Sequence, residues 1–222
     1  MQVTQVQNIC MKTILDLTEI LFPARCLGCS ILSLGLCPRC KSEWSNRNLI
    51  THLPETIVYS SRHYSSTAKN ILIAAKEQGV VKARQYLNLA LQDSFSYVVN
   101  SSRENALLVP IPSQKSSIRK RGRDFLPELT RDLAIENKTR MANILVHSRL
   151  VLDQSTLHAR DRFANLSGAL STRTTLGRGE KVILIDDLVT TGATLGEAVR
   201  TLEGAGFQVV SAVTACVALP LR

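Results

Sequence analysis

From residue 56 onward, the chain alternates between short apolar runs and longer segments in which apolar residues recur every three or four positions. The short runs predict buried strands, and the recurring pattern predicts amphipathic helices. The predicted strands cover residues 56–60, 107–112, 144–147, 181–185 and 207–217, and the predicted helices cover residues 68–75, 83–98, 126–133 and 192–205. Strands that alternate with helices indicate an α/β fold with a doubly wound, mainly parallel sheet.

The first fifty residues follow a different pattern. Apolar residues three or four positions apart predict a short helix over residues 10–21, which Pro23 ends. Two close cysteine pairs follow, and residues 41–55 have the composition of a linker or loop. We therefore expect a small N-terminal module over residues 1–50 and an α/β domain over residues 51–222.

The composition is that of a globular protein with a basic surface. Apolar residues make up 45% of the chain, the formal net charge is +9 and the pI is about 9.5. A basic balance suits anionic partners such as phosphorylated metabolites, nucleic acid or acidic lipid, although it also serves solubility alone. No apolar run reaches the roughly 20 residues that span a bilayer, and the N-terminus lacks a secretory pattern. We expect a cytoplasmic protein without membrane insertion.

The cysteines indicate a metal site. Cys26 and Cys29 form one C-x-x-C pair, Cys37 and Cys40 form another, and seven residues separate the two pairs. Four thiolates in this spacing suit tetrahedral Zn²⁺, and a complete set of four ligands leaves no open position, so we predict a structural zinc site. Buried or redox cysteines are the alternative. Packing roles are expected for the other two cysteines, Cys10 and Cys216.

The most informative segment is residues 182–195. Its apolar strand is expected to carry Asp186 and Asp187 at the carboxyl end, where open α/β sheets bind their ligands. Adjacent carboxylates repel each other, so they need hydroxyl donors or a cation nearby. A ribose diol supplies the donors, and a bound Mg²⁺ complex supplies the positive charge.

The residues after the two acids are suited to a phosphate. Thr190, Thr191, Gly192 and Thr194 are predicted to form a short loop that enters a helix N-terminus. Such a loop offers backbone N–H groups, hydroxyls and the positive end of the helix dipole. A simple strand–turn–helix with a threonine cap is the alternative, but it accounts for only one of the threonines.

This segment resembles the motif with which type I phosphoribosyltransferases bind phosphoribosyl pyrophosphate (PRPP). The resemblance implies a type I phosphoribosyltransferase fold and Mg²⁺ bound with PRPP. It implies that Asp186 and Asp187 hold the ribose hydroxyls. It also implies that residues 190–194 hold the 5′-phosphate, namely Thr190, Thr191, Gly192, Ala193 and Thr194.

Further motifs are similar to those of the ComF family, whose members are phosphoribosyltransferase-like and are associated with DNA uptake in competent bacteria. These motifs are Cys26-Leu-Gly-Cys29, Cys37-Pro-Arg-Cys40, Val109-Pro-Ile-Pro112, Arg121-Gly122, and the series Arg149, Gln154, Leu157, Arg162, Asn165 and Gly168. The chain departs from the family at Arg123, Asp124 and Phe125, where relatives carry an aromatic residue and then Asn-Gln. That departure argues against a role for this loop on the nucleophile side. The chain also lacks a further cysteine pair that many relatives carry, so one zinc ion is the most we assign.

The resemblance implies two groups of basic residues that bind pyrophosphate. The loop after the predicted strand 107–112 supplies Lys115, Arg119 and Arg121. Residues 149–165 resemble a loop that closes over the ligand, with Arg149 and Arg162 as the side chains that reach the diphosphate. A solvated basic loop, a surface helix or a nucleic-acid contact are the alternatives.

The expected reaction is transfer of the phosphoribosyl group from Mg²⁺–PRPP to a nitrogen nucleophile. Thr190 stands where enzymes that act on 6-oxopurines carry an Asp, which argues against hypoxanthine or guanine. A second possibility is a non-catalytic sensor of PRPP or a nucleotide that contacts single-stranded DNA or a DNA-uptake protein such as a helicase. A third is a plain zinc-ribbon nucleic-acid binder, although aromatic residues make up only 5% of the chain and supply few stacking surfaces. No catalytic role is assigned to the isolated histidines, which include His147.

Overall fold

The computed structural model describes residues 24–98, 103, 105–148, 168–173 and 177–219. The predicted helix over residues 10–21 and the arginines Arg149 and Arg162 lie outside these ranges. Within them, no helix is long and apolar enough to cross a bilayer.

The described part of the chain forms eight strands and six helices. The strands are β1 (Leu49–His52), β2 (Ile57–His63), β3 (Leu107–Pro110), β4 (Arg140–Met141), β5 (Leu145–His147), β6 (Leu170–Thr172), β7 (Lys181–Val189) and β8 (Gln208–Val217). The helices are α1 (Pro38–Glu43), α2 (Ser66–Lys76), α3 (Val81–Ser96), α4 (Lys115–Arg121), α5 (Phe125–Glu136) and α6 (Ala193–Gly204).

Six strands form the main sheet in the order β1-β2-β8-β7-β3-β4. Only β1 runs antiparallel to its neighbour, and all other pairs are parallel. The middle of β7, residues 182–185, is fully buried, as expected for an apolar strand covered on both faces. The prediction of an α/β fold with a mainly parallel sheet is confirmed.

Helices cover this sheet with the apolar faces that the sequence predicts. Helix α2 is capped by Ser65, whose hydroxyl accepts a hydrogen bond from the Ala68 amide at 3.2 Å. Helix α3 packs on β2 and β8, while α5 packs on β3, β4 and β7. The two helices also contact each other, so they cover the same face of the sheet. Helix α6 packs on β6, β7 and β8.

Three details of the predicted elements are wrong. Residues 113–124 are not a continuous loop, because α4 forms within them and ends at Gly122 in the left-handed region (φ 69°). Strand β7 extends to Val189, beyond the predicted end at Ile185, because β8 continues to pair with it. The segment expected to be a linker contains the short edge strand β1.

The predicted strand at 144–147 is present as β5, but it does not join the main sheet. It pairs antiparallel with β6 in a separate two-stranded sheet. The place beside β3 is taken by β4, a strand of two residues that is too short to give a sequence pattern. The sheet of β5 and β6 lies beside the carboxyl end of β3, where His147 contacts the carbonyl oxygen of Pro112.

Candidate functional site

The two acids lie near the end of β7, where the strand has lost one neighbour. Pro110, the last residue of β3, pairs with Ile185, which directly precedes Asp186. Beyond this point β7 continues to Val189 with β8 on one side only. Asp186 and Asp187 therefore border the crevice that opens where β3 ends, the usual place for a ligand in an open parallel sheet.

Lys76 supplies a positive charge for this acid pair. Its Nζ donates a hydrogen bond of 2.7 Å to Oδ2 of Asp187. Lys76 is the last residue of α2, so this contact joins the C-terminus of that helix to the end of β7. The sequence predicts that two adjacent carboxylates need a cation or hydroxyl donors, and Lys76 is such a cation.

The pair is electrostatically unequal. Burial raises the pKa of Asp187, but the charge of Lys76 and its hydrogen bond outweigh this effect and hold the pKa below its ordinary value. Burial and the neighbouring Asp187 charge raise the pKa of Asp186 well above its ordinary value. The charge of Asp187 in turn raises the pKa of Lys76. Asp187 is thus the carboxylate of the pair, and Asp186 is the member that holds its proton to higher pH.

Gly192 forms the turn that follows the acids. Its φ of 79° lies in the left-handed region, directly before the first residue of α6. A Cβ at this position would lie 2.8 Å from Cδ1 of Leu53, which is closer than carbon atoms pack. The backbone angle therefore favours glycine here, and any larger residue would also have to displace the Leu53 side chain.

Threonines surround this turn. Oγ1 of Thr191 accepts a hydrogen bond of 3.2 Å from the backbone N–H of Ala193, which begins α6. The side chains of Thr190 and Thr194 are half-buried. Hydroxyls and the positive end of the α6 dipole thus lie together within a few residues of the acid pair, an arrangement suited to a phosphate.

The basic residues predicted to bind pyrophosphate belong to α4 and not to a loop. Lys115 begins this helix, and Arg119 is exposed on it. The Arg121 side chain is only 3% exposed, and its Nη1 lies 3.1 Å from Oε1 of Glu77. Arg121 is close enough to Lys76 for its charge to lower the pKa of Lys76, although the larger effect of Asp187 raises that pKa.

Sequence reasoning missed Lys76. A lysine in the last turn of a helix is ordinarily explained by the helix dipole, so the residue gives no separate signal. The adjacent carboxylates predict a compensating charge, but they do not say which residue supplies it. Only the tertiary structure, which brings the C-terminus of α2 to β7, identifies the partner.

The four cysteines come together as their spacing predicts. The Sγ atoms of Cys26, Cys29, Cys37 and Cys40 all lie within 4.8 Å of one another. Cys29 and Cys37 are 3.6 Å apart, close to the roughly 3.8 Å edge of a tetrahedron with Zn–S bonds of about 2.3 Å. These four sulfurs therefore fit a tetrahedral zinc ion.

Two backbone amides favour the thiolate form of Cys26. The N–H groups of Gly28 and Cys37 donate to Sγ of Cys26 at 3.4 and 3.3 Å. Burial raises the pKa of the Cys26 thiol, but these hydrogen bonds outweigh burial and lower the pKa to about 6. A thiolate is the form that binds zinc. Gly28 is required for close packing, since a Cβ there would lie 2.6 Å from Sγ of Cys40.

The cysteine cluster is attached to the N-terminal half of α2. Asn70 donates through Nδ2 to the carbonyl of Gly28 at 2.7 Å, and the Thr67 hydroxyl donates to Glu43 at 2.6 Å. Lys76 lies at the opposite end of the same helix. Helix α2 therefore connects the cysteine cluster to the acid pair.

The family assignment agrees with this site. The phosphoribosyl transferase domain family matches residues 71–219, which is more than half of the chain. The chain belongs to this family. No curated protein matches the sequence significantly.

Several solved structures are similar to the chain. Adenine phosphoribosyltransferase from Leishmania tarentolae has a TM-score of 0.42 and 10% identity, covering 76% of this chain and 94% of that one. Orotate phosphoribosyltransferase from Aeropyrum pernix has a TM-score of 0.39 and 13% identity, covering 79% of this chain and 77% of that one. Adenine phosphoribosyl transferase from Trypanosoma brucei, solved with AMP, pyrophosphate and ribose-5-phosphate, has a TM-score of 0.42 and 12% identity over 76% of this chain and 87% of that one.

Proposed function

We propose that this protein binds Mg²⁺–PRPP and transfers its phosphoribosyl group to a nitrogen nucleophile. In this proposal the ribose hydroxyls donate to Asp186 and Asp187, and the 5′-phosphate lies on residues 190–194. The observation that carries the proposal is the position of a Lys76-paired acid pair directly before the Gly192 turn and the α6 N-terminus.

The unequal acids support distinct roles in holding the ribose. Lys76 keeps Asp187 charged, so this carboxylate can accept a hydrogen bond from a ribose hydroxyl without first losing a proton. Asp186 accepts a hydrogen bond in the same way once it is ionised, and its negative charge then stabilises the positive charge that develops at C1 of the ribose. The bond that breaks joins C1 to the pyrophosphate oxygen, which leaves with the electron pair.

Mg²⁺ bound with PRPP would neutralise part of the pyrophosphate charge. We assign the remainder to Lys115, Arg119 and Arg121, with contributions from Arg149 and Arg162, whose segment resembles a closing loop in sequence. Arg121 is the best placed of the described residues, because it lies beside Lys76 and its Nε is buried without a hydrogen-bond partner in the described chain. Pyrophosphate would give this N–H an acceptor.

We further propose that the chain is a ComF-type phosphoribosyltransferase. Residues 1–50 would form a module with one structural zinc ion on the four cysteines, and residues 51–222 would form the phosphoribosyltransferase domain. The cysteine spacing and the sulfur geometry support the zinc assignment. A role in DNA uptake, in the cytoplasm, is part of this proposal and rests on the resemblance alone.

A non-catalytic role is the second candidate. The net charge of +9 favours a protein that senses PRPP or a nucleotide and contacts single-stranded DNA or a DNA-uptake protein. Salt-dependent binding of single-stranded DNA that survives loss of both acids would favour this role over transfer.

Calorimetric titration with PRPP and Mg²⁺ tests the central proposal. The wild type should bind, while Asp186→Asn/Asp187→Asn should not, and Glu203→Gln on the exposed end of α6 is the matched control. If the wild type does not bind, the transfer proposal fails and the DNA- or protein-binding role becomes the leading one. Turnover of PRPP with hypoxanthine or guanine would contradict the expected exclusion of 6-oxopurines.

A further inference from the structure

Two arginines near the junction of α4 and α5 contact the C-terminus of α2. This helix ends at Lys76, and Glu77 follows it. Arg121 pairs with the Glu77 side chain, whereas Arg123 donates through Nη2 to the backbone carbonyl of Ala75. The Ala75 carbonyl belongs to the peptide group that joins Ala75 to Lys76. Arg123 therefore holds the main chain directly before the lysine of the candidate site.

The Ala75 carbonyl needs such a donor. The last carbonyls of a helix have no partner within the helix, so they take donors from elsewhere. In α2, the carbonyl of Ala74 accepts from the backbone N–H of Val80 at 2.9 Å, and the carbonyl of Ala75 accepts from Arg123. Ala75 is fully buried, and a buried carbonyl without a hydrogen bond is unfavourable. The positive guanidinium also suits the negative end of the helix dipole.

The Arg123 guanidinium is itself held in place. Its Cζ lies 5.4 Å from the centre of the Phe125 ring, and Phe125 is fully buried at the start of α5. Nη1 of Arg123 lies 3.7 Å from Oε2 of Glu128. A planar guanidinium that stacks on a fixed ring has little rotational freedom. Arg123 thus connects the start of α5 rigidly to the end of α2.

The contact between Lys76 and Asp187 depends on a fixed helix end. The Lys76 side chain is 35% exposed, and its Nζ lies 2.7 Å from Oδ2 of Asp187. A lysine side chain loses much rotamer freedom when it is held in one contact. The contact therefore forms more readily when the main chain that carries the lysine does not move.

We propose that Arg123 is a positioning residue of the candidate site, which fixes the end of α2 so that Lys76 reaches Asp187. Arg123 acts through Lys76 and does not itself touch the acids in this proposal. Its effect on the ion pair is independent of any ligand. Its effect on PRPP binding rests on the proposed function.

Titration of the free protein, followed by carboxyl ¹³C NMR, tests the effect on the ion pair. Arg123→Met should raise the pKa of Asp187, because a less well placed Lys76 stabilises the carboxylate less. Arg123→Lys keeps a donor but lacks the planar guanidinium, so it should give an intermediate pKa. Arg131→Met, at an exposed position of α5, is the control and should leave the pKa of Asp187 unchanged.

A double-mutant cycle separates positioning from a general loss of structure. Lys76→Met should raise the pKa of Asp187 more than Arg123→Met does. In the Lys76→Met background, Arg123→Met should cause no further rise, since Arg123 acts only through the lysine. A further rise in the double variant would overturn the proposal, as would an unchanged pKa of Asp187 in both Arg123→Met and Arg123→Lys.

Calorimetry with PRPP and Mg²⁺ distinguishes this proposal from the proposed function. Arg123→Met should weaken PRPP binding about fivefold, the usual effect of losing one intramolecular hydrogen bond. If the NMR results are as expected but the wild type does not bind PRPP, the proposed function fails and the positioning role stands. If the wild type binds PRPP but Arg123→Met changes neither the affinity nor the pKa of Asp187, the positioning role fails alone.

Discussion

At the scale of single residues, the candidate site depends on how charge is distributed over three side chains. Lys76 stabilises the charge of Asp187, and the Asp187 charge in turn makes ionisation of Asp186 less favourable. The site therefore carries less negative charge than two free carboxylates would. Removal of Lys76 should change the pKa of both acids, because its charge acts on both. Removal of one acid removes only its own effect on the pKa of the other.

Lys76→Met should weaken PRPP binding at least about tenfold, because Asp187 would then be a buried carboxylate without a cation. The Lys76 side chain is 35% exposed, so solvent screening limits the loss of unfolding free energy to about 1–2 kcal/mol. Calorimetry with PRPP and urea denaturation measure the two effects. Lys69→Met, an exposed position of the same helix, is the control, and equal behaviour of the two variants would contradict a role for the ion pair.

The pKa directions predict opposite pH effects for the two acids. Asp186 has a raised pKa, so its contribution to stability is present at low pH and is lost as pH rises from about 4 through the raised pKa. Asp186→Asn should therefore gain stability relative to the wild type over that rise. Denaturation curves at a series of pH values give this difference.

Asp187 should behave in the reverse sense. Its pKa is depressed, so its contribution is present above about pH 4 and is lost as pH falls through the depressed pKa. Asp187→Asn should lose most stability relative to the wild type near neutral pH and least in acid. Parallel pH profiles for the two variants would show that the assignment of charge within the pair is wrong.

At the scale of elements, the turn between β7 and α6 determines whether the α6 N-terminus can approach a phosphate. Gly192 adopts a left-handed backbone conformation there and lies close to the Leu53 side chain. Helix α2 contacts the cysteine cluster near one end and carries Lys76 at the other. Both elements position site residues through their packing.

Gly192→Ala should lower the unfolding free energy by about 1–3 kcal/mol and weaken PRPP binding, because it adds both backbone strain and a clash. Gly204→Ala is the control on the same helix, since a Cβ there meets nothing within 4 Å. Adding Leu53→Ala to Gly192→Ala removes the clash and leaves only the strain. If the double variant recovers no affinity, Leu53 does not determine the turn.

At the scale of the whole molecule, the cysteine cluster and the α/β domain are joined through shared contacts. Trp44, which follows α1, belongs to the main hydrophobic core, and the Arg62 guanidinium of β2 lies 5.5 Å from the centre of its ring. Hydrogen bonds from α2 reach the loop of the first cysteine pair and Glu43. Metal loss should therefore affect the stability of the whole chain.

Purified wild-type protein should contain one zinc ion per chain, and Cys37→Ser should contain less and unfold at a lower temperature. Metal analysis and thermal unfolding measure the two quantities. Cys216→Ser is the control, because Cys216 is buried in β8 and has no place in the cluster. Equal zinc content in the two variants would exclude the four-cysteine site.

Patterns along the chain predict the fold class, the cysteine cluster and the segment that carries the acid pair. Apolar periodicity predicts most of the strands and helices, since burial imposes it directly on the sequence. The cysteine spacing predicts a cluster, and four sulfurs do lie together. The same reasoning places Asp186 and Asp187 near the end of a buried strand, because the chain itself keeps these residues adjacent.

Contacts between distant segments were decided by the tertiary structure alone. The partner of Asp187, Lys76, comes from a position 111 residues away in the chain. Short edge strands such as β4 and the pairing of β5 with β6 also depend on neighbours. The local sequence pattern indicates whether a residue is buried. Which residue it contacts depends on how the helices and strands pack together, and the sequence of a single helix or strand does not determine that.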